Sequence, residues 1–166
     1  MLDHTDPLRI AQHSFQDIAR QAKYLNKLPS HQVLRCILAG AVENFPADSV
    51  ILSEGAEITD IYLILRGLAA VSIYKDANPA LWLYVAGPGS LVDVCALLEP
   101  PTSPVTTRAL TDLEVLAIPR GVFVDVMKEE AAVGFEILQE LCSRLALINQ
   151  VTLKEFSRGY PEPSRN

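Results

Sequence analysis

From the N-terminus, apolar residues first recur every three or four positions. Ile10, Phe15, Ile18, Ala19, Ala22 and Leu25 share one side of a 3.6-residue wheel, with Gln, Lys and Arg between them, which predicts a helix over residues 7–28. Pro29-Ser30 interrupts it. Ser30 is a candidate N-cap for a second short helix with apolar positions Val33, Leu34, Ile37 and Leu38, and Gly40 is a plausible stop. From Val42 to Ile118 the period falls to two, and Gly, Pro, Asn and Asp punctuate short segments. The strands this predicts are Val42 to Phe45, Ser49 to Ser53, Asp60 to Arg66, Ala69 to Tyr74, Leu81 to Ala86, Val105 to Ala109 and Leu113 to Ile118.

After Pro119 the helical period returns through Val122, Phe123, Val126 and Met127. A longer helix follows from Ala131 to about Arg158, with Val133, Ile137, Leu141, Leu145, Ile148 and Thr152 every three or four residues. Gly159, Pro161 and Pro163 end it, and the tail is too polar to order by itself. Helices, seven short strands, then helices predict an α+β fold whose β part closes as a sandwich or jelly roll. Gly55, Gly67, Gly87 and Gly89 lie between strand candidates, where a positive φ is expected for a tight reversal.

Composition narrows the function. The 166 residues are 49% apolar but only 20% charged, with net charge −6, and mean hydropathy is +0.21. This suggests a large core, or a core with an added apolar interface. The acidic balance argues against duplex DNA or an anionic membrane as the main partner. No apolar run approaches the ~18 residues of a spanning helix. Met1 to Arg9 carries Asp3, His4 and Asp6 and does not read as a signal peptide. Cys36, Cys95 and Cys142, scattered in apolar segments without CxxC spacing, read as reduced, buried thiols of a cytoplasmic protein. All three histidines, His4, His13 and His31, precede the β part, so the several His ligands of a metal-dependent jelly-roll enzyme are missing from it. There is no nucleophile elbow, and Gly87-Pro88-Gly89 lacks the length and Lys of a phosphate loop. No catalytic residue and no metal ligand is assigned.

Four stretches carry a resemblance in order and spacing. They are Phe45-Pro46-Ala47-Asp48-Ser49-Val50-Ile51-Leu52-Ser53-Glu54-Gly55; Ile61-Tyr62-Leu63-Ile64-Leu65-Arg66-Gly67; Gly87-Pro88-Gly89-Ser90; and Arg108-Ala109-Leu110 with Val115-Leu116-Ala117-Ile118-Pro119-Arg120. The chain resembles the cyclic nucleotide-binding domain family, the sensor fold of catabolite-activator-type regulators, from about Leu28 to Arg158. The resemblance implies a double-stranded β-helix, the jelly-roll β-roll of that family. Residues 1–28 would be an N-terminal helical segment, 29–128 the roll, 129–158 a long dimerisation helix and 159–166 a disordered tail.

In this family a short cassette between two strands holds the cyclic phosphate. A Gly-Glu pair opens a short helix whose N–H groups face the phosphate, the Glu binds the ribose hydroxyl, and an Arg about ten residues later grips the phosphate. Alignment from Gly89 without gaps puts Asp93 at the Gly, Val94 at the Glu and Ser103 at the Arg, so the cassette is degenerate. Pro104 then removes a further N–H donor. By family position the pocket comprises Ser90, Asp93, Val94, Cys95, Ala96, Ser103, Pro104, Val105 and Thr106, within a span from Ser90 to Thr107. Losing both charged partners removes on the order of 3–6 kcal/mol, about two to four decades of affinity. Ordinary cAMP or cGMP binding is therefore doubted.

Two other readings of the cassette stay open. Val94-Cys95-Ala96-Leu97-Leu98 is apolar enough to be a short core helix in a pocket that binds nothing. It could also hold a less anionic ligand such as haem, with Cys95 as the one candidate thiolate. The long helix suits a two-fold homodimer through Val133, Ile137, Leu141, Leu145 and Ile148, its stripe widened by Leu138, Cys142 and Phe156. Only Gly159 to Asn166 follow it, too few for a helix-turn-helix, so direct DNA binding is not expected. The competing function is a ligand-free scaffold for a partner protein.

Overall fold

A computed structural model describes residues 25–73 and 81–159, the side chains at 147, 148 and 151–159 excepted. The helix predicted over 7–28 lies outside the described residues except at its end, where Leu25–Lys27 is a 3-10 turn and Leu25 and Leu28 are buried. The tail beyond residue 159 also lies outside them. Helix α1 runs Ser30–Ala39 and buries Gln32, Val33, Cys36 and Ile37. Leu34 and Leu38, expected on the same stripe, are exposed. Ser30 is already helical; Pro29 precedes it as the cap residue, without a side-chain cap bond. The Pro29 carbonyl instead accepts from the N–H groups of Gln32 and Val33. Gly40 does end the helix, and a Cβ there would stand 2.9 Å from the Ala117 carbonyl oxygen.

Eight strands follow: β1 Ala41–Phe45, β2 Val50–Leu52, β3 Asp60–Arg66, β4 Ala69–Ile73, β5 Leu81–Ala86, β6 Leu91–Val92, β7 Thr106–Ala109 and β8 Leu113–Pro119. Seven correspond to the expected strands, and β6 is added; two residues are too short to register as a period. The antiparallel pairs β1·β8, β2·β7, β3·β6 and β4·β5 are nested. They fold into two four-stranded sheets, β1-β8-β3-β6 and β2-β7-β4-β5. This is a long hairpin rolled up, a jelly roll, and the class is α+β as expected. Of the turn glycines, Gly67 has φ +87°, and a Cβ there would lie 2.3 Å from the Asp112 carbonyl oxygen. Gly87, expected in the same conformation, does not have a positive φ.

The first sheet is buried on both faces, which explains why β3 and β8 read as nearly continuous apolar runs. Alternation sends Ile61, Leu63, Leu65, Leu116 and Ile118 toward the helices and Ile64, Leu113 and Val115 toward the second sheet. Helices α2, Arg120–Glu129, and α3, Ala131–Gly159, complete the chain. Phe123, Val126, Val133 and Ile137 pack with α1 and the outer face of β3 and β8 in one apolar cluster.

Candidate functional site

The cassette begins where β6 leaves the first sheet. β6 pairs with β3 through Tyr62 opposite Val92 and Leu63 opposite Leu91. The chain then reverses at Asp93, a non-glycine residue in the left-handed region at φ 61°, ψ 29°. A 3-10 helix follows at Val94–Leu97. Left-handed backbone favours glycine, and here an aspartate adopts it. The apolar run after it is a short helix as expected. It is half in the core: Val94 and Ala96 are buried, while Leu97 and Leu98 are exposed.

Asp93 is 5% exposed. Its Oδ1 accepts a 3.0 Å hydrogen bond from the Thr107 hydroxyl, itself fully buried on β7. Its Oδ2 is buried and has no partner among the described residues. Burial lifts the carboxyl to about 6, against the downward pull of the Thr107 bond. Among the described residues no cation pairs with it. Burial raises the Tyr62 and Tyr84 hydroxyls and the Cys95 thiol, and the nearby Asp93 charge adds to each. A Cys95 thiol held up in this way is a poor thiolate ligand.

The other expected pocket residues are spent locally. Val94 packs in the core. Ser103, at the position of the phosphate-gripping Arg, is 2% exposed and closes its own turn, donating to the Val105 carbonyl at 2.8 Å. Thr106 Oγ1 accepts from the Glu54 N–H at 3.1 Å. Pro104 is exposed and Ser90 and Val105 are half-buried. The polar side chains of the expected set are thus spent apart: Ser103 within its own turn, Thr106 on Glu54 and Asp93 on Thr107. Thr107, the last residue of the expected span, contacts Asp93.

Helix α3 closes over the cassette. Leu91 and Val94 face Ile137, Glu140, Leu141 and Arg144 around a cavity of about 10 Å³, room for roughly one water. A larger groove of about 590 Å³, lined by Phe45, Arg66, Asp112 and Glu114 among others, lies at the end of the first sheet away from α2 and includes none of the expected residues. Arg144 stacks over the Tyr84 ring, 4.6 Å from its centroid, and pairs with Glu140 at 3.3 Å. Neither Arg144 nor Tyr84 stands out in a sequence, because the contact joins elements about sixty residues apart.

The apolar stripe of α3 divides in two. Val133 and Ile137, expected to face a second copy, are each 3% exposed and belong to the chain's own core, with Leu141 packed against it. Leu145 stays outside, on a separate stripe with Phe135, Leu138, Cys142 and Asn149. Those five positions are spaced 3, 4, 3 and 4, the spacing of a coiled-coil seam. The side chain of Ile148 is outside the described residues.

Comparisons with known proteins agree with this geometry. The sequence model of the cyclic nucleotide-binding domain matches residues 42–130. The sensor domain of the transcriptional regulator DNR from Pseudomonas aeruginosa superposes with a TM-score of 0.70 at 12% identity, covering 81% of this chain and 91% of that one. The catabolite activator protein of Thermus thermophilus gives 0.67 at 20% identity, covering 81% and 62%. A lysophospholipase of Neosartorya fischeri is 25% identical over 99 residues, 60% of this chain and 6% of that protein. The chain thus spans less than a tenth of the length of the curated relatives it matches. Among the described residues, no helix is long and apolar enough to cross a membrane.

Proposed function

The chain belongs to the cyclic nucleotide-binding domain family, and on that premise we propose that it is a non-enzymatic sensor module whose cassette does not serve an ordinary cyclic phosphate. Asp93 carries the reading. The corner where the family places glycine holds a buried carboxylate with one oxygen unpartnered. A cyclic phosphate would add a second anion beside it, with Val94 and Ser103 where the ribose acid and the guanidinium belong. A less anionic ligand suits this cassette better. Occupancy would act by population shift, moving the cassette helix and with it α2 and α3.

The module works as a homodimer in this reading, through the α3 seam of Phe135, Leu138, Cys142, Leu145 and Asn149. Exposed apolar residues at that spacing support a parallel two-stranded contact, and a polar Asn on a seam helps set register. The three cysteines are free, which suits a cytoplasmic protein, but of the three expected to be buried only Cys36 is; Cys95 is half-buried, and Cys142 is exposed because it lies on the outer stripe of α3. Titration calorimetry with cAMP and cGMP tests the cassette. The expected result is no heat at micromolar protein, and micromolar binding would overturn the reading. Replacing Asp93→Gly, Val94→Glu and Ser103→Arg together is expected to create cyclic nucleotide binding that the native chain lacks.

The second reading, a ligand-free scaffold for a partner protein, is favoured by the small cavity between cassette and α3. A stable dimer by light scattering, with no thermal shift from cyclic nucleotides and no Soret band after incubation with haem, would select it.

A further inference from the structure

The cassette is held unequally at its two ends. Beyond the 3-10 helix, Arg120 Nε donates to the Ala96 carbonyl at 2.7 Å. The Asp93 end follows β6, an edge strand that pairs with β3 through two residues, and reverses at the left-handed corner. Among the described residues, one side-chain hydrogen bond ties this corner to the second sheet, from the Thr107 hydroxyl to Asp93 Oδ1. Docking of the corner therefore depends on the state of one buried carboxyl.

The two protonation states of that carboxyl fit the site differently. Oδ2 is buried with no partner among the described residues. Leaving one oxygen of a neutral carboxyl unmet costs far less than leaving an unpaired charge there. The groups that face Asp93 do not relieve the charge. Tyr62 of β3, Tyr84 of β5 and Cys95 of the cassette all feel it, and each is pushed further from ionising. Glu43 and Asp60 add negative charge on the Tyr62 side. Arg144 of α3 reaches the Tyr84 ring but pairs with Glu140. The cavity between the cassette and α3 takes about one water, and a proton needs no cavity at all.

We propose that the proton is the ligand of this cassette: bound to Asp93 it keeps the corner docked against Thr107, and its loss releases the corner to water. The inference rests on the reading of the cassette as a sensor that does not serve a cyclic phosphate. Burial fixes the sign. The acid sits at about 6 in the docked state against 3.8 when free, so docking binds the proton more tightly. The proton's contribution is fully present below 3.8 and is lost as pH rises through 6.

Two cysteines supply the probe, because Cys95 is half-buried in the cassette and Cys36 is buried in the core. The full chain and Asp93→Asn are treated briefly with a pyridyl disulfide, which reacts with thiols at pH 5 and at pH 8, and labelling is read at each cysteine by mass spectrometry. Comparing the two chains at one pH cancels the thiol's own pH dependence. The labelling rate of Cys95, native over variant, is expected to rise about tenfold from pH 5 to pH 8, with Cys36 unchanged. A static charge would do the reverse, since it holds the Cys95 thiol up and slows it in the native chain. A Cys95 ratio that is flat or falls overturns the proposal, as does a rise shared by Cys36, which would be loosening of the whole fold. Should Asp93→Asn fail to fold, Asp93→Gly takes its place, because glycine adopts the left-handed corner without strain. The native measurement at pH 8 is repeated with excess cAMP. Protection of Cys95 by cAMP would overturn the sensor reading and the proposal with it, whereas a flat ratio without protection overturns the proton alone.

Discussion

Two regions of this protein each bury one polar side chain with an oxygen that has no partner among the described residues, and they handle it in opposite ways. At the helical corner, Gln32 contributes a neutral amide whose other end bonds two carboxylates. At the cassette, Asp93 contributes an ionisable acid on a left-handed corner, with one neutral hydroxyl as partner. The corner is a joint that costs little to keep. The cassette holds strain and an uncompensated charge together, which a fold tolerates where a site is, or was, being held. Stability therefore belongs to the corner, and sensitivity to conditions belongs to the cassette.

The largest expected effect tests the first half of that contrast. Phe123 is fully buried, shared by α1, α2 and the outer face of β3 and β8. Phe123→Ala is expected to destabilise by about 3–5 kcal/mol in urea denaturation. A loss below about 1 kcal/mol would mean that the corner is not where the fold is secured.

The next effect concerns pH. The Asp93 carboxyl sits at about 6 in the fold against 3.8 when free. An acid with a raised folded value binds its proton more tightly in the native state, so the fold gains stability as pH falls through 6 toward 3.8 and loses it as pH rises. The full span is worth about 3 kcal/mol. Denaturation midpoints between pH 8 and pH 5 should show the gain, and Asp93→Asn should remove most of the slope while raising stability at pH 8. A native chain whose stability is flat across that range would put the acid in contact with solvent.

These two regions were unequally legible in the sequence. The roll was readable because β3 and β8 are apolar runs bounded by turn residues and Gly67 marks a turn that only glycine fits. At the cassette, counting from Gly89 put Asp93 on the family's glycine position, and the backbone at Asp93 is left-handed. What escaped depends on contacts across the chain. β6 is too short to have a period, and the Thr107 bond to Asp93 joins two strands' ends. On α3 two apolar stripes overlap in sequence, and periodicity does not say which one the roll covers; Val133 and Ile137 proved to be inside and Leu145 outside. Arg120 and Glu129 were visible as charges, but their partners Glu99 and Arg35 lie on other elements and do not show in the sequence.

A smaller effect separates the two partners of the acid. Thr107→Val removes the one hydrogen bond to Asp93 and keeps the shape. At pH 8, where the acid is ionised, the loss should be about 1.5–3 kcal/mol, and at pH 5 nearer 1 kcal/mol. The pH slope should therefore steepen, because the bond favours the ionised form. Equal losses at both values would mean that Asp93 stays protonated throughout.

The smallest effect lies where the two regions meet. Helix α3 is rooted in the corner by Val133 and Ile137, and further along it touches the cassette side through Arg144 on the Tyr84 ring. The Arg144 side chain is 22% exposed and already paired with Glu140, so the stacking contributes little. A double-mutant cycle of Arg144→Met and Tyr84→Leu should give a coupling of about 0.5–1 kcal/mol. That weakness matters, because α3 can then leave the roll beyond Leu141 at small cost while its base stays fixed. A coupling above about 2 kcal/mol would instead pin the helix to the roll along its length, and the cassette and the seam could no longer move apart.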